Sequence, residues 1–129
     1  KKTFVLLSDG ELDEGSNWES LLFSSHHKLN NLVVIIDYNK LQSIDFVKNT
    51  LNLEPLKQKF QSFGCKVVSV DGHNFKQLEK VLSSSSTKPL VIIANTIKGK
   101  GVSFMENSVL WHYKSLNSED YQKAMKIIK

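Results

Sequence analysis

The chain has 129 residues, 40% hydrophobic and 23% charged, which fits one globular domain or part of one and is too apolar for a disordered segment. Its 17 basic residues are all lysine, scattered along the chain against 13 acidic residues; a net charge of +4 without arginine argues against a base-reading nucleic-acid binder and reads as a solvated surface. The single cysteine, Cys65, excludes an internal disulfide framework and a multi-cysteine zinc site, and fits a reducing, cytoplasmic setting. No apolar run approaches the roughly 20 residues that cross a bilayer, and the apolar stretch after Lys1-Lys2 is too short for a signal peptide.

In chain order, Thr3 to Leu7 is apolar and β-prone and ends at Ser8-Asp9-Gly10, which predicts a buried strand and a turn. Trp18, Leu21, Leu22 and Leu29 recur at helical spacing, so Glu14 to Lys28 predicts a helix. Asp13 and Glu14 near its start, and His26, His27 and Lys28 near its end, complement the helix dipole. Leu32 to Ile36 is a second apolar strand, and Asp37 to Thr50 is polar and irregular. Leu53 to Phe63 reads as a helix stopped by Gly64. Lys66 to Val70 is a third strand closed by Asp71-Gly72. Asn74 caps a helix to about Leu82, with Phe75, Leu78, Val81 and Leu82 on one face. A serine-rich connector, Ser83 to Lys88, precedes a fourth strand, Leu90 to Ala94. A glycine-bearing loop runs from Lys98 to Lys114, and Ser118 caps a last helix, Glu119 to Ile128.

Strands that alternate with helices, and read as continuous apolar runs, predict an α/β fold: a mostly parallel sheet with helices on both faces and right-handed crossovers. Because the first predicted strand begins almost at residue 1, and a buried strand needs neighbours on both sides, the chain is expected to be the C-terminal part of a larger domain.

Ligands of such sheets bind beyond the carboxyl ends of the strands. Asp9 lies past the first strand and Asp37 to Leu41 past the second; if these strands are neighbours, both turns face one crevice. One carboxylate, one side-chain amide and free backbone carbonyls are hard oxygen donors, suited to Mg²⁺ with a phosphate completing its sphere. Gly10 would let backbone approach that phosphate. Taken alone, an Asp-Gly turn such as Asp9-Gly10 is far more often structural, and Asn39 reads as a loop residue.

The segments Ser8-Asp9-Gly10-Glu11-Leu12-Asp13-Glu14-Gly15, His26 to Leu32 and Asp37-Tyr38-Asn39-Lys40-Leu41-Gln42 together resemble the thiamine diphosphate motif of transketolases, which opens with a GDG-type turn and closes with an asparagine about thirty residues on; Asp9 and Asn39 are 30 positions apart. Val70-Asp71-Gly72-His73 and Thr96 to Glu106 are similar to the same family, in particular to its separately encoded N-terminal subunits. The resemblance implies that residues 1–129 form one partial thiamine diphosphate- and Mg²⁺-binding domain, with 97–129 its glycine-bearing loop and C-terminal helix. It implies that Asp9, Asn39 and the carbonyl of Leu41 hold Mg²⁺, that Gly10 contacts the diphosphate, that Glu14 lies near a subunit interface and couples active sites, and that His112 lies near the diphosphate and the reacting sugar. On its chemistry alone, His112 is an exposed loop histidine.

The activity implied is transfer of a two-carbon ketol unit between sugar phosphates. A C-terminal transketolase subunit or pyrimidine-binding domain would supply the rest of the site in a homo- or heterodimer or tetramer, and this chain would be inactive without it. A deoxyxylulose-phosphate synthase-like enzyme using the same cofactor, and a catalytically degenerate partner-binding half, are the alternatives. Ser8 stands where the family usually has the first glycine of its triplet, adding a side chain at the turn. His73 is expected to be structural, Lys98 and Lys100 solvated, Trp18 in a core or interface, and Cys65 buried and inert.

Overall fold

The computed structural model describes residues 1–128. Four strands, β1 (Thr3–Ser8), β2 (Leu32–Tyr38), β3 (Lys66–Asp71) and β4 (Leu90–Asn95), pair in the order β1-β2-β4-β3, every pair parallel. Parallel neighbours need crossovers. These carry helices α1 (Gly15–His26), α2 (Val47–Thr50), α3 (Leu56–Ser62) and α4 (Phe75–Ser83), and α5 (Ser118–Ile128) follows the last strand. The expected α/β architecture is therefore present, with helices on both faces of the sheet.

One face packs Val34, Ile36, Tyr38, Val91 and Ile93 against Leu21 of α1 and Leu56 and Phe60 of α3. Trp18 stacks on Phe60, ring centroids 5.1 Å apart, and its indole N–H donates to the Leu12 carbonyl at 2.8 Å. The other face packs Val33, Ile92 and Ala94 against Val81 of α4, with Ile35, Leu78 and Leu82 half-covered beside them.

The helix ends follow local chemistry. Gly64, at φ +83°, closes α3: its N–H donates to Gln61 and that of Cys65 to Phe60, the paired bonds of a Schellman stop. The Asn74 side chain accepts from Gln77 N–H at 3.1 Å, as its capping role requires. Cys65 is buried, and that burial pushes its thiol pKa up.

Four expectations are corrected. Among the described residues β1 lies at the edge of the sheet rather than buried: Phe4 is 53% and Leu6 68% exposed. Phe75 does not join the apolar face of α4; it sits in the first turn, 85% exposed, ahead of the part of the helix that meets the sheet. The third helix starts at Leu56 rather than Leu53, because Pro55, at the cap position, disfavours the helical conformation of the residue before it. The cap of α5 is Asn117, whose side chain accepts from Asp120 N–H at 2.7 Å, so Ser118 is its first helical residue. Within the segment expected to be irregular, Leu41 and Phe46 form an antiparallel bridge ahead of the helical turn α2.

Candidate cofactor and metal site

Sheet register decides which exits meet. Ser8 lies beside Asp37, Asp37 beside Ala94, and both Tyr38 and Asp71 beside Asn95. The chain therefore leaves all four strands along one edge, at Asp9, Asn39, Gly72 and Thr96.

Asp9 starts a 3₁₀ turn, Gly10–Asp13, with right-handed helical backbone angles (φ −64°, ψ −34°). Leu12, buried in the core under α1, anchors the turn, and its N–H donates to the Asp9 carbonyl. Ser8 fits here without a left-handed conformation. It is the last residue of β1; its N–H and hydroxyl both donate to the Glu11 carboxylate, and Glu11 N–H donates back to the hydroxyl. The bonds from Ser8 hold the Glu11 carboxyl below its ordinary pKa. The reciprocal pair works like a capping box for the turn. Gly10 does not adopt a left-handed φ, and a Cβ there would meet only Gln42, at ordinary contact distance.

The Asp9 side chain is 1% exposed, and its Oδ2 accepts from Lys40 N–H at 2.6 Å. Lys40 has a left-handed φ of +65°, a conformation that costs a side-chain-bearing residue free energy and is held here by that bond and by Val47 N–H donating to the Lys40 carbonyl. The next residue closes the turn: Leu41 N–H donates to Asn39 Oδ1 at 3.0 Å. The structure thus brings Asp9, Asn39 and Leu41 to one place. Leu41 is buried, and no hydrogen bond among the described residues uses its carbonyl.

Electrostatically this is a place short of positive charge. Burial raises the pKa of Asp9; backbone N–H groups of Lys40 and Gly10 oppose the shift, and the carboxylates of Asp37 and Asp13 add to it. No basic side chain among the described residues contributes. Among the described residues no group of three or more His, Cys, Asp or Glu side chains is placed to hold a metal. A soft-metal or all-carboxylate centre is therefore not built here. A buried carboxylate without a counter-cation, an amide oxygen and an unpaired carbonyl do fit a hard divalent cation that takes its remaining oxygens from phosphate and water.

Beside these donors a groove of about 590 Å³ opens on the thinly covered face, its floor Leu6, Ile35 and Ala94 and its rim Asp37, Asn39, His73, Thr96 and Lys98. His73 Nε2 accepts from Ile97 N–H at 2.8 Å, which places the imidazole proton on Nδ1 and ties the exit of β3 to the loop after β4. Gly99 in that loop has φ +76°, and a Cβ there would lie 2.6 Å from the Met105 carbonyl oxygen, so glycine is required.

Two expected site residues stand apart from this geometry. Glu14 is exposed at the N-cap of α1 and its side chain makes no capping bond. His112 is exposed at the end of a 3₁₀ turn, Val109–His112, with no hydrogen bond to its ring among the described residues. That turn is pinned instead by Trp111, whose indole N–H donates to the Phe104 carbonyl at 3.0 Å. Sequence reasoning did not single out Asp37 and Thr96, whose side chains hydrogen-bond each other across two strands. The available signal was position, since each lies at a strand exit.

A wholly parallel sheet, with hard oxygen donors from successive exits beside an open groove, defines an α/β domain with its ligand site at the strand ends. Similarity to known proteins narrows this further. Residues 1–128 match the family described as transketolase, thiamine diphosphate binding domain, and the chain belongs to that family. It is 41% identical over 131 aligned residues to one of the subunits of apulose-4-phosphate transketolase from Actinobacillus succinogenes, covering 100% of this chain and 48% of that protein. It is 38% identical over 115 residues to Homo sapiens transketolase, covering 89% of this chain and 18% of that protein. Among solved structures, Campylobacter jejuni transketolase superposes with a TM-score of 0.90 at 35% identity, over 97% of this chain and 20% of that one. The chain spans about half the length, or less, of the curated relatives it matches. No helix among the described residues is long and apolar enough to cross a membrane.

Proposed function

We propose that this chain supplies the diphosphate- and Mg²⁺-binding side of a cytoplasmic, thiamine diphosphate-dependent transketolase that moves a two-carbon ketol unit between sugar phosphates. The observation that carries the reading is the buried Asp9 carboxylate, hydrogen-bonded into the Asn39–Leu41 turn beside the Leu41 carbonyl, with no counter-cation for the one and no hydrogen bond to the other among the described residues. Asp9, Asn39 and the Leu41 carbonyl hold the cation, and backbone at Gly10 faces the diphosphate.

When bound, thiamine diphosphate supplies a nucleophilic carbon and a sink for the electron pair left by carbon–carbon cleavage. The chain's own residues bind and orient. The Leu12 anchor and the Ser8–Glu11 pair fix the Asp9 turn, and the Lys40 and Gly10 N–H groups keep the buried carboxylate aimed. His112 is assigned to the sugar phosphate and the diphosphate, and Glu14 to the interface that couples active sites. The pyrimidine half of the cofactor is left to a C-terminal subunit or pyrimidine-binding domain, a division supported by relatives whose names make them single subunits of larger transketolases.

Calorimetric titration of the assembled protein with thiamine diphosphate tests the reading. Binding should require Mg²⁺ and should be lost in Asp9→Ala. Binding that ignores Mg²⁺, or that survives Asp9→Ala unchanged, refutes it.

A further inference from the structure

We infer that Thr96 and Asp37 form a positioning pair that fixes the Asn39 amide with its oxygen toward the cation; this rests on the functional reading above. A side-chain amide can sit either way round, and its hydrogen-bond partners decide which. Asn39 Oδ1 accepts from Leu41 N–H at 3.0 Å, and Nδ2 donates to Asp37 Oδ2 at 3.4 Å. Turned over, the amide would set its oxygen against a carboxylate and its NH₂ against an N–H, and both contacts are repulsive.

The second half of the device lies on another strand. Asp37 Oδ1 accepts from the Thr96 hydroxyl. Thr96 leaves β4, and its own N–H donates to the Tyr38 carbonyl at 3.3 Å, so its height relative to β2 is fixed. A hydroxyl has one proton to give, and here it goes to Asp37. Each Asp37 oxygen is thereby engaged by a donor, Oδ2 by the Asn39 amide and Oδ1 by the Thr96 hydroxyl, so the carboxylate acts on the ligand Asn39. The exit of β4 thus sets the orientation of a donor at the exit of β2 through two hydrogen bonds, one local and one that only the neighbouring strands bring together. Removing outer partners of this kind commonly costs about 10–100-fold in metal affinity.

The test is Mn²⁺ affinity, read by paramagnetic resonance of free Mn²⁺, on the assembled protein with thiamine diphosphate present. Thr96→Val keeps shape and removes the donor; it should weaken Mn²⁺ binding about ten-fold, and Thr96→Ser should restore it. Asp37→Asn offers its NH₂ to Asn39 and favours the turned amide; it should weaken binding similarly, and the double variant Thr96→Val, Asp37→Asn should be no worse than Asp37→Asn alone. If Thr96→Val fails to fold, by its metal-free thermal unfolding, Asp37→Asn carries the test. Wild-type affinity in Thr96→Val and Asp37→Asn overturns the inference, as does loss in Asp37→Asn with no loss in Thr96→Val, which would make Asp37 a ligand. Asn39→Ala separates the two levels: it should abolish binding. Unchanged binding in Asn39→Ala and Asp9→Ala overturns the site itself, whereas loss in those two with no effect of the Asp37 and Thr96 variants overturns only the positioning pair.

Discussion

The two faces of the sheet are built differently. On one, α1 and α3 seat Trp18, Leu21, Leu56 and Phe60 on Val34, Ile36, Val91 and Ile93, and Phe60 is fully buried. On the other, α4 covers the β3–β4 side, while Phe4 and Leu6 of β1 stay largely exposed and a groove remains. The site straddles this difference. The Asp9 turn hangs from the packed face through Leu12, and Asn39 lines the groove on the open one. One face supplies rigidity to aim a ligand, and the other supplies room to receive one. A sheet packed equally on both sides would hold Asp9 as well but leave nothing for it to meet.

If stability resides on the packed face, its centre should be the most damaging place to cut. Phe60→Ala removes a fully buried ring stacked on Trp18 and should cost about 3–5 kcal/mol of unfolding free energy, measured by urea denaturation. Trp18→Phe is the sharper probe. It keeps an aromatic at the half-buried position but loses the indole bond to the Leu12 carbonyl, so about 1–2 kcal/mol is expected. Because that carbonyl belongs to the Asp9 turn, cation affinity should fall with it. An affinity unchanged while stability drops would show that the turn does not depend on the packed face.

A smaller effect is expected where the packed face meets the loop beyond β2. Glu54 accepts from the Tyr38 hydroxyl at 2.7 Å and from Leu56 N–H at 2.9 Å, which lowers its pKa, first through Tyr38. Burial, and then the bond to Glu54, raise that of Tyr38. A carboxyl whose folded-state pKa is depressed contributes stability above its unfolded pKa, about 4.3, and loses that contribution as pH falls through the lower folded value. Glu54→Gln should therefore cost about 1 kcal/mol near neutrality and flatten the loss of stability on acidification. An acid branch identical to wild type in chemical denaturation at pH 3 and pH 7 would remove Glu54 from the account.

The sequence signals that succeeded and those that failed differ by the same physics. Continuous apolar runs identified β1, β2 and β4, as parallel strands covered on two faces require, and the turn Asp71-Gly72 after Lys66 to Val70 marked β3. The same cue misplaced β1, since a run such as Phe4-Val5-Leu6-Leu7 records what the strand can bury and not what covers it. Phe75 failed similarly: helical periodicity assigns a face but not how much of the helix reaches the sheet. Asp9 and Asn39 were legible as strand exits spaced like a known motif. The bonds from Thr96 to Asp37 and from His73 to Ile97 were not, because they depend on β4 lying between β2 and β3, an order that no local pattern encodes. Glu14 and His112 came from resemblance alone, and the chain's own contacts bring neither to Asp9.

The open face gives the smallest predicted effect and the most direct way to break the contrast. Leu6 lines the groove and is 68% exposed, so truncating it removes little buried area. Leu6→Ser should change unfolding free energy by no more than about 0.5 kcal/mol, the usual range for surface positions. The substitution lies three residues before Asp9, on the strand whose register with β2 sets the site, yet strand pairing uses backbone bonds that serine keeps. Cation affinity should therefore also hold. A loss above about 1.5 kcal/mol, the scale of burying a leucine side chain, would mean that in the assembled protein this face is as well covered as the other. The groove would then be an interface rather than a binding cleft, and access to Asn39 would have to come from the strand ends alone.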